Sequence, residues 1–240
     1  MLAEALFEVY TIVYVNGMIG GTSRIDTALA GMRCKGDMSN RIVFATGNAG
    51  KVKEIQMIMA DTGMEVISMK EAGINIDIDE DGKTYEENAM IKARAVAALT
   101  SDIVMADDSG LEVDYLNKEP GVYSARYMGE DTPYSIKNAN LIERLSGVPD
   151  EQRTARFVCA IAAVMPDGTE LTTRATIEGR IGYEEKGSHG FGYDPIFYVP
   201  QFGKTTAELT EEEKNQVSHR GKALQLMKEE MKKYENNSRQ

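Results

Sequence analysis

At 240 residues the chain can bury one substantial core, so one domain or two closely joined lobes is the expectation. Its 38 acidic against 27 basic residues leave a net charge of −11, which argues against the broad basic face that nucleic acid or an anionic membrane requires. A small anionic ligand stays open, because a few local cations outweigh the global field inside a pocket. Cys34 and Cys159 match no zinc or redox spacing, consistent with a reduced, cytoplasmic setting. No apolar run approaches the ~20 residues of a membrane helix. Glu4 and Glu8 stand where a signal peptide would carry basic residues.

Residues 1–38 hold an apolar stretch, Val9 to Val15, and a glycine-rich passage around Gly20, with weak helix and strand periodicity. They are expected to form an extension of unknown role, and the domain is expected to occupy 39–240. Ile42 to Ala45 is a short β-branched and aromatic run, the mark of a buried strand. Thr46-Gly47-Asn48-Ala49-Gly50-Lys51 breaks it, and Val52, Ile55, Ile58 and Met59 then recur at helical spacing. Glu65 to Ser68 predicts a second strand. After an acidic loop, Thr84 and Glu87 form a capping-box pattern opening an alanine-rich helix to about Leu99. Ile103 to Ala106 predicts a third strand, ending at Asp107-Asp108 with Ser109-Gly110 as its turn. Thr132 as N-cap and Pro133 as first helical residue predict a helix to about Leu145. Phe157–Val164 and Leu171–Ile177 flank Pro166-Asp167-Gly168 as a hairpin. Ser218 caps a last helix with an apolar stripe of Leu224, Met227 and Met231. Strands alternating with helices, followed by a hairpin, predict an α/β fold on a mixed β-sheet flanked by helices.

Four segments carry candidate chemistry. The Thr46–Lys51 turn lies between a strand and a helix N-terminus, where backbone N–H groups and the helix dipole favour an anion, and Lys51 adds a charge. It is not a Walker A loop, whose spacing is longer. Asp107 and Asp108 are adjacent on a strand and therefore face opposite ways, which implies different roles. Glu80 and Glu87 are placed to approach them, and oxygen ligands without His or Cys suit Mg²⁺. Glu87 is also explained by the helix start alone. Gly190-Phe191-Gly192-Tyr193-Asp194-Pro195 puts two glycines around an aromatic, so backbone can approach a flat ligand that stacks. Asp194, before proline, is expected to be extended. Ser218-His219-Arg220 and Lys204 supply further donors, weak as a signal alone.

Together Thr46–Lys51, Glu86–Asn88, Ala106–Leu111, Pro120–Tyr127, Gly190–Phe197 and Ser218–Arg220 resemble, in order, the motifs of the inosine/xanthosine triphosphate pyrophosphatase family across residues 40–233. The resemblance implies an elongated, two-lobed α/β protein with a central cleft, a homodimer, hydrolysing Mg²⁺-bound non-standard purine triphosphates to monophosphate and pyrophosphate. It implies substrate binding by Thr46, Gly47, Asn48, Ala49, Gly50, Lys51, Ser109, Phe191, Gly192, Tyr193, Asp194, Lys204, His219 and Arg220. It implies metal ligation by Glu80 and Asp108, with Asp108 as proton acceptor. Donors of His219 or Arg220 are then expected to pair with the C6 carbonyl of hypoxanthine or xanthine and to meet the amino group of adenine with no acceptor. His189 falls in a variable spacer and receives no role. Two rival readings are a hydrolase of modified pyrimidine triphosphates and a nucleotide-binding regulator without catalysis.

Overall fold

The computed structural model describes residues 40–210, 212–214 and 218–238; the N-terminal extension 1–38 lies outside the described residues. Strand β1 (Arg41–Phe44) shows how sequence alternation becomes two cores. Ile42 and Phe44 enter a core on one face of the sheet, while Val43 and the following Ala45 enter another on the opposite face. Burial on both faces is what its continuous apolar run requires. Helix α1 (Ala49–Met59) leads to β2 (Glu65–Ser68), and helix α2 (Tyr85–Ala97) leads to β3 (Ile103–Val113). Both β2 and β3 pair with β1 in parallel.

After β3 the chain turns antiparallel. Strands β4 (Thr154–Val164), β5 (Glu170–Ile181), β6 (Phe197–Val199) and β7 (Lys204–Thr205) complete a seven-stranded sheet of order β2-β1-β3-β4-β5-β6-β7. The hairpin read around Gly168 is present, with Gly168 at φ 87°, and its strands run longer than the apolar text. Helix α4 (His219–Ser238) lays Leu224, Met227 and Met231 into the same core as Ile55 and Met59 of α1. Burying each such side chain contributes about 1.5–3 kcal/mol. Helix α2 covers the opposite face with Ala89, Ala93 and Val96. A third core gathers helix α3 (Tyr134–Arg144) through Leu141 onto Leu111, Val113, Ile177 and Phe197. The long strand β3 thus spans from the first two cores to the third, and Asp107 to Gly110 occupy the interval between them.

The structure corrects three local expectations. Strand β3 does not end at Asp107: it continues through Ser109 and Gly110 to Val113, paired with β4 throughout. Helix α3 starts one residue late, with Pro133 at the cap, because the Thr132 hydroxyl donates to the Met128 carbonyl instead of accepting from the helix. Asp194 opens a short 3₁₀ turn, Asp194–Ile196, and is not extended.

Candidate active site

The phosphate-type turn is organised by its own asparagine. Asn48 caps α1, its side-chain oxygen accepting from the Gly50 N–H at 2.9 Å and the Lys51 N–H at 3.2 Å, while Thr46 Oγ1 accepts from the Asn48 N–H. The amides of Gly47 and Ala49 have no partner among the described residues. An arriving anion therefore meets these donors first and competes with Asn48 for the others.

Period-two alternation on β3 sends its two aspartates into different environments. Asp107, 1% exposed, accepts from Lys51 Nζ at 3.0 Å, from the Arg220 guanidinium at 3.2 Å and from Ser109 Oγ at 3.2 Å. Burial alone would raise its pKa, but the Lys51 and Arg220 charges hold its carboxyl well below the usual carboxylate range. Asp108, on the other face, accepts from Asn88 Nδ2 at 3.0 Å and from the Ser109 N–H. Burial lifts its carboxyl to about 6, helped by the charges of Glu80 and Asp107 and opposed by Lys92 and the Asn88 hydrogen bond. One strand thus presents a permanently charged anchor and, beside it, a carboxylate short of counter-charge. Gly110 follows on the Asp108 face by the same alternation, and a Cβ there would stand 2.4 Å from the Gly121 carbonyl and 2.8 Å from the Tyr85 ring. Its glycine is a close-approach residue, not the turn residue read from the sequence.

The acidic loop joins the Asp108 side. Glu80 pairs with Lys92 at 2.9 Å, and its carbonyl accepts from the Arg126 guanidinium. Glu87 does the work of a helix start: its carboxylate accepts from the Lys83 N–H, and its own N–H donates to Thr84.

The aromatic turn is built on Asp194. The carboxylate, 4% exposed, accepts from the Phe191 N–H at 2.8 Å, from Lys214 Nζ at 2.5 Å and from Thr206 Oγ1 at 2.8 Å. Gly190, at φ 78°, packs against this pair so closely that a Cβ would lie 2.2 Å from Asp194 Oδ2. Phe191 keeps its ring half exposed, with Lys214 Nζ 5.3 Å from the ring centroid. Tyr193 is buried, its hydroxyl donating to the Ser124 carbonyl at 2.8 Å and its ring meeting Tyr134 edge-on. A cavity of about 260 Å³ opens between this turn and α1, lined by Gly50, Glu54, His189, Phe191, Leu209 and Lys214.

The start of α4 closes the arrangement. Ser218 Oγ caps it by accepting from the Gly221 N–H. His219 stacks on Phe157 at 5.0 Å, its Nδ1 is buried without a partner among the described residues, and burial with the Arg220 and Lys214 charges drives its pKa well down. Arg220, 3% exposed, is spent on Asp107 and on Glu54 at 2.5 Å. In this arrangement the guanidinium is the shared counter-ion of both carboxylates.

Hydrogen bonds and ion pairs thus bring together Thr46, Asn48, Gly50, Lys51, Asp107, Asp108, Ser109 and Arg220 around β3, and Phe191 with Asp194 at the aromatic turn. Lys204 joins neither group. It lies exposed on β7 opposite Val199, with no side-chain hydrogen bond or ion pair among the described residues, and the lysine on Asp194 is Lys214. Sequence reasoning missed Lys214, Glu54, Lys92 and the role of Asn88. Asn88 and Glu54 carried a signal, Asn88 as part of the Glu86–Asn88 motif and Glu54 one helical turn from Lys51.

The Ham1 family model matches residues 42–230. The dITP/XTP pyrophosphatase of Exiguobacterium sibiricum is 49% identical over 187 residues, covering 78% of this chain and 94% of that protein. The dITP/XTP pyrophosphatase of Escherichia coli O157:H7 is 48% identical over 189 residues, covering 78% and 95%. Among solved structures, the Staphylococcus aureus Ham1 protein superposes with a TM-score of 0.73 at 41% identity, covering 81% of this chain and 99% of that one. A family match spanning most of the chain, near-half identity and a shared fold agree: the chain belongs to the Ham1 family.

Proposed function

We propose that the chain hydrolyses non-standard purine nucleoside triphosphates, ITP, dITP and XTP, to the monophosphate and pyrophosphate, and so cleanses the nucleotide pool. The observation that carries this reading is the divided strand: Asp107 locked between Lys51 and Arg220, and Asp108 beside it with its pKa raised to about 6. A carboxyl tuned toward neutrality by burial is suited to accept a proton from water attacking phosphorus. The dITP/XTP pyrophosphatases that this chain resembles support the substrate class.

The residues fit Mg²⁺. Glu80 and Asp108 offer oxygen only, and Lys92 is the cation that Glu80 pairs with directly and that also acts on Asp108. No cluster of three or more acidic, His or Cys ligands occurs among the described residues, and magnesium needs only one or two carboxylates when substrate phosphates complete its shell. When bound it would neutralise charge on the phosphate oxygens. The chain's own residues do the rest. Lys51 and the Thr46–Lys51 turn bind the triphosphate, Asp108 orients and deprotonates water, and Phe191 offers a stacking face to the purine. Lys214, paired with Asp194 at the cavity, is a further donor placed to meet a C6 carbonyl, which adenine lacks.

The deciding assay supplies a panel of nucleoside triphosphates with Mg²⁺ and identifies the products. Pyrophosphate with inosine monophosphate is expected; inorganic phosphate with the diphosphate, or no turnover, would overturn the reading. No helix among the described residues is long and apolar enough to cross a membrane. The family resemblance supports a cytoplasmic homodimer, checked by sizing in solution.

We further infer that the pyrophosphatase is complete from Met38 onward, because every site residue follows Asn40. A chain beginning at Met38 is expected to match the full chain in kcat and KM. A large loss of turnover in a truncated chain that still melts cooperatively would show that residues 1–37 help build the site.

A further inference from the structure

The aromatic turn is held from behind by a residue that none of the motifs contains. Asn138, on the first turns of α3, is 1% exposed and delivers both N–H groups of its carboxamide outward: to Glu185 Oε1 at 2.7 Å and to the Gly192 carbonyl at 3.3 Å. Its own Oδ1 is buried with no partner among the described residues. Both neighbours are acceptors, so the opposite orientation of the amide would set oxygen against oxygen, and the orientation is fixed by chemistry. A buried asparagine that leaves its acceptor unpaired gives up stability for what its donors hold.

What they hold is a peptide plane. Across a planar trans peptide the carbonyl and the next N–H point in opposite directions. Drawing the Gly192 carbonyl toward α3 therefore turns the Tyr193 N–H away from that helix, and this N–H has no acceptor among the described residues. Gly192 sits at φ 68°, a left-handed conformation that needs such an anchor to be single-valued. The neighbouring residues of α3 brace the same turn. Tyr134 meets the Tyr193 ring edge-on, and Lys137 Nζ donates to the Ala125 carbonyl at 2.6 Å, next to the Ser124 carbonyl that receives the Tyr193 hydroxyl.

We propose that Asn138 is a positioning residue for base discrimination: it orients the Gly192–Tyr193 peptide so that the Tyr193 N–H is a free donor for a purine carbonyl. This rests on the reading of the Phe191–Asp194 turn as the base site. Adenine, which carries an amino group at C6, finds no acceptor there and gains nothing from the arrangement.

The test compares Asn138→Leu, Asn138→Asp and Glu185→Ala with the parent, measuring kcat and KM for ITP and ATP and the melting temperature, with Phe191→Ala beside them. Asn138→Leu keeps volume and removes the orphaned acceptor but also strips the Gly192 carbonyl of its donor, so a modest drop in melting temperature is expected. Its kcat/KM for ITP is expected to fall about tenfold through KM, the size of one hydrogen bond, with ATP unchanged. Asn138→Asp is expected to lose more, since its carboxylate opposes both acceptors. Glu185→Ala alters an exposed residue and folds whatever the fate of the others; it is expected to narrow the ITP-to-ATP ratio in the same direction by less. Equal losses for both substrates, or an unchanged ratio in the variants that fold, would overturn the proposal while Phe191→Ala still raises KM. If Phe191→Ala leaves KM for ITP unchanged, the base site itself is misplaced and the proposal goes with it.

Discussion

Asp108→Asn is expected to lower kcat for ITP by about 10³-fold, within the range of a lost general base, while triphosphate binding persists. The argument starts from burial. Asp108 is 8% exposed, and its carboxyl is raised to about 6 because burial strips water from its charged form, with the charges of Glu80 and Asp107 adding to the effect. Asparagine keeps the shape and one of the two accepted hydrogen bonds, from Ser109 or from Asn88, but cannot take a proton from water. Removing a charge from a buried site relieves desolvation, so the melting temperature should hold or rise. In the proposed reading, binding rests on Lys51 and the Thr46–Lys51 turn, on another element. Calorimetric titration with a non-hydrolysable ITP analogue separates the two effects. Turnover within tenfold of the parent at saturating Mg²⁺ would take Asp108 out of the chemistry.

Arg220→Ala should act on the fold instead. Its guanidinium faces Asp107 and Glu54, and its loss leaves two carboxylates facing one another with only Lys51 against Asp107. Breaking a buried ion pair by deleting one partner costs about 3–5 kcal/mol, because the remaining charge stays buried. For a chain of this size that is roughly 6–20 °C in melting temperature. Among the molecules that remain folded, the ratio of ITP to ATP turnover is expected to change little, since the guanidinium is engaged by Asp107 and Glu54. A variant that melts normally but loses its preference for ITP would restore Arg220 as a base reader and remove it as a counter-ion.

The elements that bury apolar side chains at a regular period were legible. Ile42 to Ala45, the α1 spacing of Val52, Ile55 and Met59, and the α4 stripe each follow from periodicity and fall where expected. The mixed sheet followed from their order. The site was legible as a set of segments and not as a set of pairings. Asp107 and Asp108 looked like a strand end because buried charge interrupts the apolar pattern, yet the β3 ladder runs on, with Lys51 and Arg220 compensating Asp107. Gly110 looked like a turn for the same reason, while the crowding by Tyr85 and Gly121 that demands glycine comes from elsewhere in the chain. No local signal pairs Asp107 with Arg220 across 113 positions, or chooses Lys214 over Lys204 for Asp194. Those choices are made by tertiary packing alone.

The Asp107–Arg220 pair also sets a sequence of events during synthesis. The phosphate turn, the acidic loop and both aspartates leave the ribosome well before His219, where the helix that supplies the guanidinium begins. Until then Asp107 has Lys51 but not its second cation, and the core that Leu224, Met227 and Met231 complete is open on one face. A chain that ends before this helix therefore lacks the cation that Asp107 and Glu54 share. The last helix thus supplies, late in synthesis, both the second cation of Asp107 and the side chains that cover the core beside it.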